Sequence, residues 1–196
     1  IVPSKVAGLT AVTRELAADS NPAAANIIGQ GLARSIAVRI DQAFFGAMAA
    51  PAPSGLGALV GFTDVPAGTA WTNIDAFIGA IYKAESVGAT LTAFVANPAD
   101  AEIISKLKQA TGSNVPLLTP DPTAATKRSI AGVPLYVSPA VTAGTIWGLP
   151  KDRVIVVTRE DVTLEVDSSV YFASDRVAVK AVMRVGFAYP HPAAVT

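Results

Sequence analysis

NPAAANIIGQGLARSIAVRIDQAFFGAM, residues 21–48, carries an apolar side chain at every fourth position: Ile28, Leu32, Ile36, Ile40 and Phe44. Side chains four apart lie above one another on a helix, so this spacing predicts one apolar face that drifts slowly around its axis. Gln30, Arg34 and Asp41 fall elsewhere on the wheel. Asn21 has the side chain of an N-cap, and Pro22 sits where the first helical turn tolerates proline. A helix from Pro22 to Ala49 would be roughly 40 Å long at 1.5 Å per residue. Gly29 and Gly31 each cost about 1 kcal/mol relative to alanine, so close packing or a bend is expected there. The stretch is apolar enough to raise a membrane span, but Gln30, Arg34, Arg39 and Asp41 interrupt it, and mid-bilayer charges cost a few kcal/mol each. It is read as a beam, and the question is what it braces.

Composition narrows the classes of function. The 196 residues suit one globular domain or two small ones. With 51% hydrophobic and 15% charged residues, the chain can bury a core and is not a disordered segment. Lys+Arg and Asp+Glu number 15 each, and zero net charge argues against a general nucleic-acid binder while favouring self-association. No cysteine is present, which excludes disulfides, thiolate metal sites and cysteine nucleophiles. No Asn-x-Ser/Thr acceptor occurs, and the absence of an initial methionine or signal-like segment suggests a processed or cut chain.

Outward from the beam, residues 5–16 mix Val6, Leu9 and Val12 with Arg14 and Glu15, and their structure is left open. PAPSGLGALVGFTDVPAG, residues 51–68, is a Pro/Gly-rich connector and a candidate domain boundary. A second amphipathic helix is expected from Asn73 to Val87, with Ile74, Phe77, Ile78, Ile81 and Tyr82 on its buried face. TLTAFVANP predicts a buried strand ended by Asn97-Pro98, followed by a third helix from Pro98 to Ala110, closed by Gly112. Residues 113–128, with Pro116, Pro120 and Pro122, read as a loop. VPLYVS, VIVVT and DVTLEV predict strands, and Val177 to Tyr189 one long strand of alternating side chains. The order is long helix, mixed α/β middle, then strands.

Catalytic chemistry is hard to find. His191, the only histidine, lies between Pro190 and Pro192, and one imidazole cannot form a ligand cluster; it reads as an exposed loop residue. GQGLAR, residues 29–34, opens like a dinucleotide fingerprint but lacks a third glycine and lies inside a helix. No phosphate-binding loop, nucleophile elbow or zinc-helix motif occurs. Glu160 and Asp161 are adjacent, so a strand would point them to opposite faces. Asp64 and Asp75 could meet in space as a carboxylate pair, although solvated surface charge is the better reading. Lys106, Lys108, Lys127 and Arg128 form a mild basic cluster without interleaved aromatics, a poor nucleic-acid platform. No catalytic, cofactor-binding or metal-ligating residue is therefore assigned, and no cofactor is expected.

LTAVTRELAADSNP followed by the long helix ending RIDQAFFGAM resembles the major capsid proteins of tailed bacteriophages with the HK97 fold. The same resemblance continues through WTNIDAFIGAIYKAESVGATLTAFVANPADAEIISKLKQATG, IAGVPLYVSPAVTAGTIWGLPKDRVIVVTRED and SDRVAVKAVMRVGFAYPHPAAV. Each stretch alone is weak; their order over nearly the whole chain is specific. The resemblance implies an α+β HK97-like fold: a peripheral domain of residues 1–50 with the long helix as spine, and an axial domain of residues 51–153. Residues 154–183 would supply peripheral-domain strands, and residues 184–196 a terminal strand returning to the axial domain. It places the 113–128 loop near a symmetry axis and Asp167 to Asp175 at contacts between capsomers.

The function the resemblance implies is a non-enzymatic structural subunit of an icosahedral phage or prophage shell. Copies of the chain would build pentamers and hexamers around double-stranded DNA held without sequence-specific contacts. Scaffold, protease and portal proteins would be further partners, with no membrane, and the protein would reside in the virion capsid after assembly in the bacterial cytoplasm. Two features depart from the family. Its N-terminal arm and E-loop precede the spine helix, and almost nothing precedes Val6 here; where some relatives carry a cross-linking asparagine, this sequence reads Ser174-Asp175. No self-cross-link is expected, and weakened contacts would leave this chain monomeric or in rings. An encapsulin compartment shell is the nearest alternative, and a small α/β enzyme or ligand-binding protein the alternative of another class, since fold alone does not assign function.

Overall fold

A computed structural model describes residues 2–15, 23–68, 70–110, 112–118 and 128–196. In chain order its main elements are β1 (Ser4–Thr13), α1 (Ala23–Phe45), α2 (Asp75–Ser86), β2 (Ala93–Ala96), α3 (Pro98–Ser105), β3 (Arg128–Ile130), β4 (Val133–Val137), β5 (Ile146–Leu149), β6 (Ile155–Tyr171) and β7 (Arg176–Ala188). They fall into two compact units, Ile1–Gly55 with Val156–Phe187, and Leu56–Ile155 with Ala188–Thr196.

The first unit is a three-stranded sheet, ordered β1-β7-β6, with α1 on one face. The segment left open by the sequence is thus a strand. β1 pairs antiparallel with β7 along its whole length, from Ser4 opposite Val185 to Thr13 opposite Arg176. Its burial alternates with period two, so Val6, Gly8, Thr10 and Val12 turn inward. Leu32 and Ile36 of α1 pack with Ala181 as a buried cluster, joined by Val6, Ile28, Ile40, Val179 and Met183. Four of the five apolar positions in the helical row are therefore seated on the sheet. The fifth, Phe44, meets Phe187 edge-on with ring centroids 5.1 Å apart.

α1 is helical without interruption through Gly29 and Gly31, and no atom lies within 4 Å of the position a Cβ would take at either. The expected close packing does not occur there. The expected start at Asn21 and Pro22 lies outside the described residues. At the other end the helix stops at Phe45, where Gly46 N donates to Gln42 O at 3.0 Å.

VIVVT and DVTLEV, expected as two strands, are halves of the single 17-residue strand β6. The polar Arg159-Glu160 between them does not break it, because Arg184 of β7 faces Glu160 across the pair at 3.4 Å.

The second unit holds the four-stranded sheet β3-β4-β2-β5. β2 is central, parallel to β4 and antiparallel to β5, and its Phe94 is 2% exposed. Around Phe94 the core gathers Phe77, Ala80 and Ala84 of α2, Ala101 and Ile104 of α3, and Leu91, Ile130 and Leu135. The buried stripe of α2 is thus Phe77, Ala80 and Ala84, with Ile74 and Ile81 beside it. Ile78 and Tyr82 are corrections to the expected face: both are exposed, Tyr82 at 68%. A stripe of alanines lets α2 sit close to the sheet, which turns the larger residues outward.

α3 is also shorter than expected, ending at Ser105 rather than Ala110. The chain turns back there: Leu117 N donates to Leu107 O at 2.7 Å and Gln109 N to Val115 O at 3.1 Å. The short β3 and β5 were not anticipated, since three- and four-residue strands carry too little periodicity to register.

The tail locks the unit. Ala194 and Val195 are fully buried, Thr63 N donates to Val195 O at 2.9 Å, and Thr196 N donates to Gly148 O at 3.1 Å. Gly148 N donates back to Thr196 O at 2.6 Å, so the last residue extends the β5 ladder.

Candidate assembly interface

The sequence singled out polar residues one by one, and the structure gives most of them local work. Asn97 caps α3: its Oδ1 accepts from Ala99 N at 3.1 Å with Pro98 in the first turn, and its Nδ2 donates to Val141 O at 2.7 Å. Asp75 accepts from Asn73 Nδ2 at 2.8 Å at the start of α2, and Lys83 Nζ donates to the main-chain oxygen of Asp64. The Asp75 carboxylate is thus held in a local contact, whereas Asp64 takes part through its main chain. His191 is half-buried rather than exposed, because its carbonyl accepts from Ala194 N in the turn that folds the tail inward.

The basic cluster does not form a platform. Lys106 pairs with Glu102 one turn away, which holds the Glu102 carboxyl below its ordinary range, first through the hydrogen bond and then through the charge. Lys108 Nζ donates to Asn114 O at 3.3 Å within its own turn. Arg128 is exposed at the start of β3, and Lys127 lies outside the described residues. Of the 113–128 loop, residues 113–118 form the returning arm of that turn and 119–127 are not described.

Sequence reasoning missed Asp100. This carboxylate is 5% exposed and accepts from Trp71 Nε1 at 2.9 Å and from Gly144 N at 2.8 Å. It pins two loops to α3, and both of its oxygens are occupied, so it is a structural clip. An acidic residue in a first helical turn signals only dipole compensation, and nothing local announces two distant donors. Among the described residues no group of three His, Asp or Glu side chains converges as a metal site. No described helix is long and apolar enough to cross a membrane.

What the first unit does present is open strand. β6 is exposed along nearly its whole length, with Val156, Leu164, Val166 and Val170 each more than half exposed. Lys180 Nζ and Glu165 Oε2 lie 2.5 Å apart, which places Glu165 on the face of the sheet away from α1. The hydrogen bond and then the charge of Lys180 hold the Glu165 carboxyl below its ordinary range.

The end of the β6–β7 hairpin is built with care. Asp167 Oδ1 accepts from both Ser169 N (2.7 Å) and Ser169 Oγ (2.6 Å), and the Ser169 bonds lower its pKa. Phe172 in the turn is 80% exposed. Asp175 takes the left-handed conformation (φ 49°) that closes the turn, and Arg14 braces it twice, N to O at 3.0 Å and Nε to Oδ1 at 3.3 Å.

The long helix braced on a three-stranded sheet, with a second unit built on a four-stranded sheet, is the HK97-type capsid fold. The chain belongs to the phage capsid family, whose model matches residues 1–196. Solved structures share its fold. A Microbacterium phage Oxtober96 chain superposes with TM-score 0.75 at 16% identity over 95% of this chain and 66% of its own. The capsid of an empty GTA particle gives 0.77 at 19% identity over 98% and 70%. A virus-like particle from Pyrococcus furiosus gives 0.68 at 12% identity over 98% and 74%. The chain therefore spans about two thirds of the length of the phage relative. No curated protein sequence matches it.

Proposed function

We propose that this chain is a subunit of a phage or prophage capsid shell, working by assembly with its own copies rather than by turnover. The match of the family model to the whole chain carries the reading, and the fold shared with capsid chains supports it. In this reading Ile1–Gly55 with Val156–Phe187 is the peripheral domain, and Leu56–Ile155 with Ala188–Thr196 the axial domain. The 107–118 turn lies toward the ring axis. The hairpin end from Asp167 to Asp175 meets a neighbouring capsomer, with Phe172 as its apolar contact. The shell encloses double-stranded DNA by confinement, which suits a chain of zero net charge. Scaffold, protease and portal proteins are the partners of assembly, and the finished protein resides in the virion.

Electron microscopy of the purified protein under assembly conditions tests this. Rings of five or six copies are expected of this chain and closed particles of a chain that also carries the family's N-terminal arm and E-loop, and Phe172→Ala should reduce particle yield without lowering the melting temperature. A chain that stays monomeric under every condition and turns over a small substrate would refute the reading.

A further inference from the structure

We propose that β6 is a charge-latched strap: it lifts from β7 by itself while α1, β1 and β7 stay folded, and its ion pairs to β7 set how often it does so.

Nothing apolar holds this strand down. None of its 17 residues is buried, and only Val157 and Tyr171 are half-buried. The cluster under α1 is completed by Val6 of β1 and by Val179, Ala181 and Met183 of β7, with no residue of β6. Lifting β6 therefore exposes little apolar surface that is not already in water. Burial is the term that ordinarily makes a strand open only with the whole fold. β7 does not depend on β6 either, because β1 pairs with it over ten residues, Arg176 to Val185. At the hairpin end Arg14 holds Asp175, so β6 lifts as a strap tethered at its turn.

What remains is the ladder to β7 and two ion pairs, Glu160 with Arg184 and Glu165 with Lys180. A ladder hydrogen bond broken at the surface is replaced by one to water, so its net contribution is small. The ion pairs are then a large share of the latch. Lys180 and Arg184 share the sheet face away from α1 with Lys5, which lies directly opposite Arg184 on β1. β6 adds Arg159, Asp161 and Asp167, the last bonded to Ser169 within the strand. Protonating the carboxylates removes the attraction and leaves Lys5, Lys180 and Arg184 facing one another. Because the bond and charge of Lys180 lower the Glu165 pKa, the latch is complete above the unfolded-state value and is released as pH falls through the folded one.

Amide hydrogen exchange of the 196-residue chain, with each rate divided by its intrinsic rate at the same pH, tests the strap. β6 amides should open about tenfold more often than those of α1 and β1, or more. Alternate β7 amides should follow β6 while those between them stay protected, because a strand between two antiparallel partners directs successive amides to opposite sides. Glu165→Lys and Lys180→Glu should each raise β6 opening about threefold to tenfold, and the double variant should return it toward the original rate. Salt at about 0.5 M should raise it by screening, and so should acidification to about pH 4, in both cases more than it raises opening of α1. β6 amides that open only together with α1 and β1 would show a strand integral to the fold and overturn the proposal. Frequent opening that salt and both charge reversals leave unchanged would overturn the latch.

Discussion

Replacing Gly29 and Gly31 with alanine should stabilise the protein. Both lie inside α1, and a Cβ built at either meets no atom within 4 Å. The substitution thus adds no clash and takes away backbone freedom that the unfolded chain would otherwise regain. Each glycine in a helix interior costs about 1 kcal/mol relative to alanine, so the double variant should gain about 2 kcal/mol. For a chain of this size, 1 kcal/mol moves the melting temperature by about 2–4 °C, so a rise of about 4–8 °C is expected. Circular dichroism at 222 nm during a thermal ramp reads it directly. A urea titration should show a higher midpoint with unchanged slope. A fall in melting temperature would refute the reasoning, because it would mean that these glycines are close-packing points after all.

Gly148→Ala should act in the opposite direction. Its Cβ would collide with Thr196 Oγ1 and press Leu91 Cδ1 at 3.0 Å, so a loss of about 1–3 kcal/mol is expected in a urea titration. Low pH should weaken the pairing of β6 with β7. Glu165 has a lowered pKa in the fold, so its contribution is fully present above the unfolded-state value and is lost as pH falls through the folded one. Carboxyl NMR should give Glu165 a midpoint below that of an ordinary glutamate, and Lys180→Ala should raise it; an unchanged midpoint would show that the ion pair does not form in solution.

Which elements were legible before any coordinates follows from how local their causes are. α1 and β7 were readable because each carries its own period, four residues for the helix row and two for the strand, over a long run. Asn97-Pro98 announced the end of β2 and the start of α3 because capping is settled within three residues. β1 was not readable: its inward face includes Gly8 and Thr10, so its alternation appears only once α1 covers that face. The length of β6 was hidden because its charged centre is stabilised by Arg184 on another strand. α3 was overextended because the turn that stops it depends on Leu117, ten residues beyond Leu107.

The same division applies to function. By itself the sequence determined the absence of thiols, the single imidazole, the zero net charge and the spine helix, and these are properties of composition and short-range spacing. Its ordered motifs also carried the likeness to a capsid subunit. Only the tertiary structure decided that Asp100 is a clip and that Tyr82 faces outward. It alone showed that β1 and β6 are the outer strands of one sheet. Sheet order is a matter of tertiary pairing, and Ser4–Thr13 and Ile155–Tyr171 share one sheet only because β7, the later of the two long strands, pairs between them.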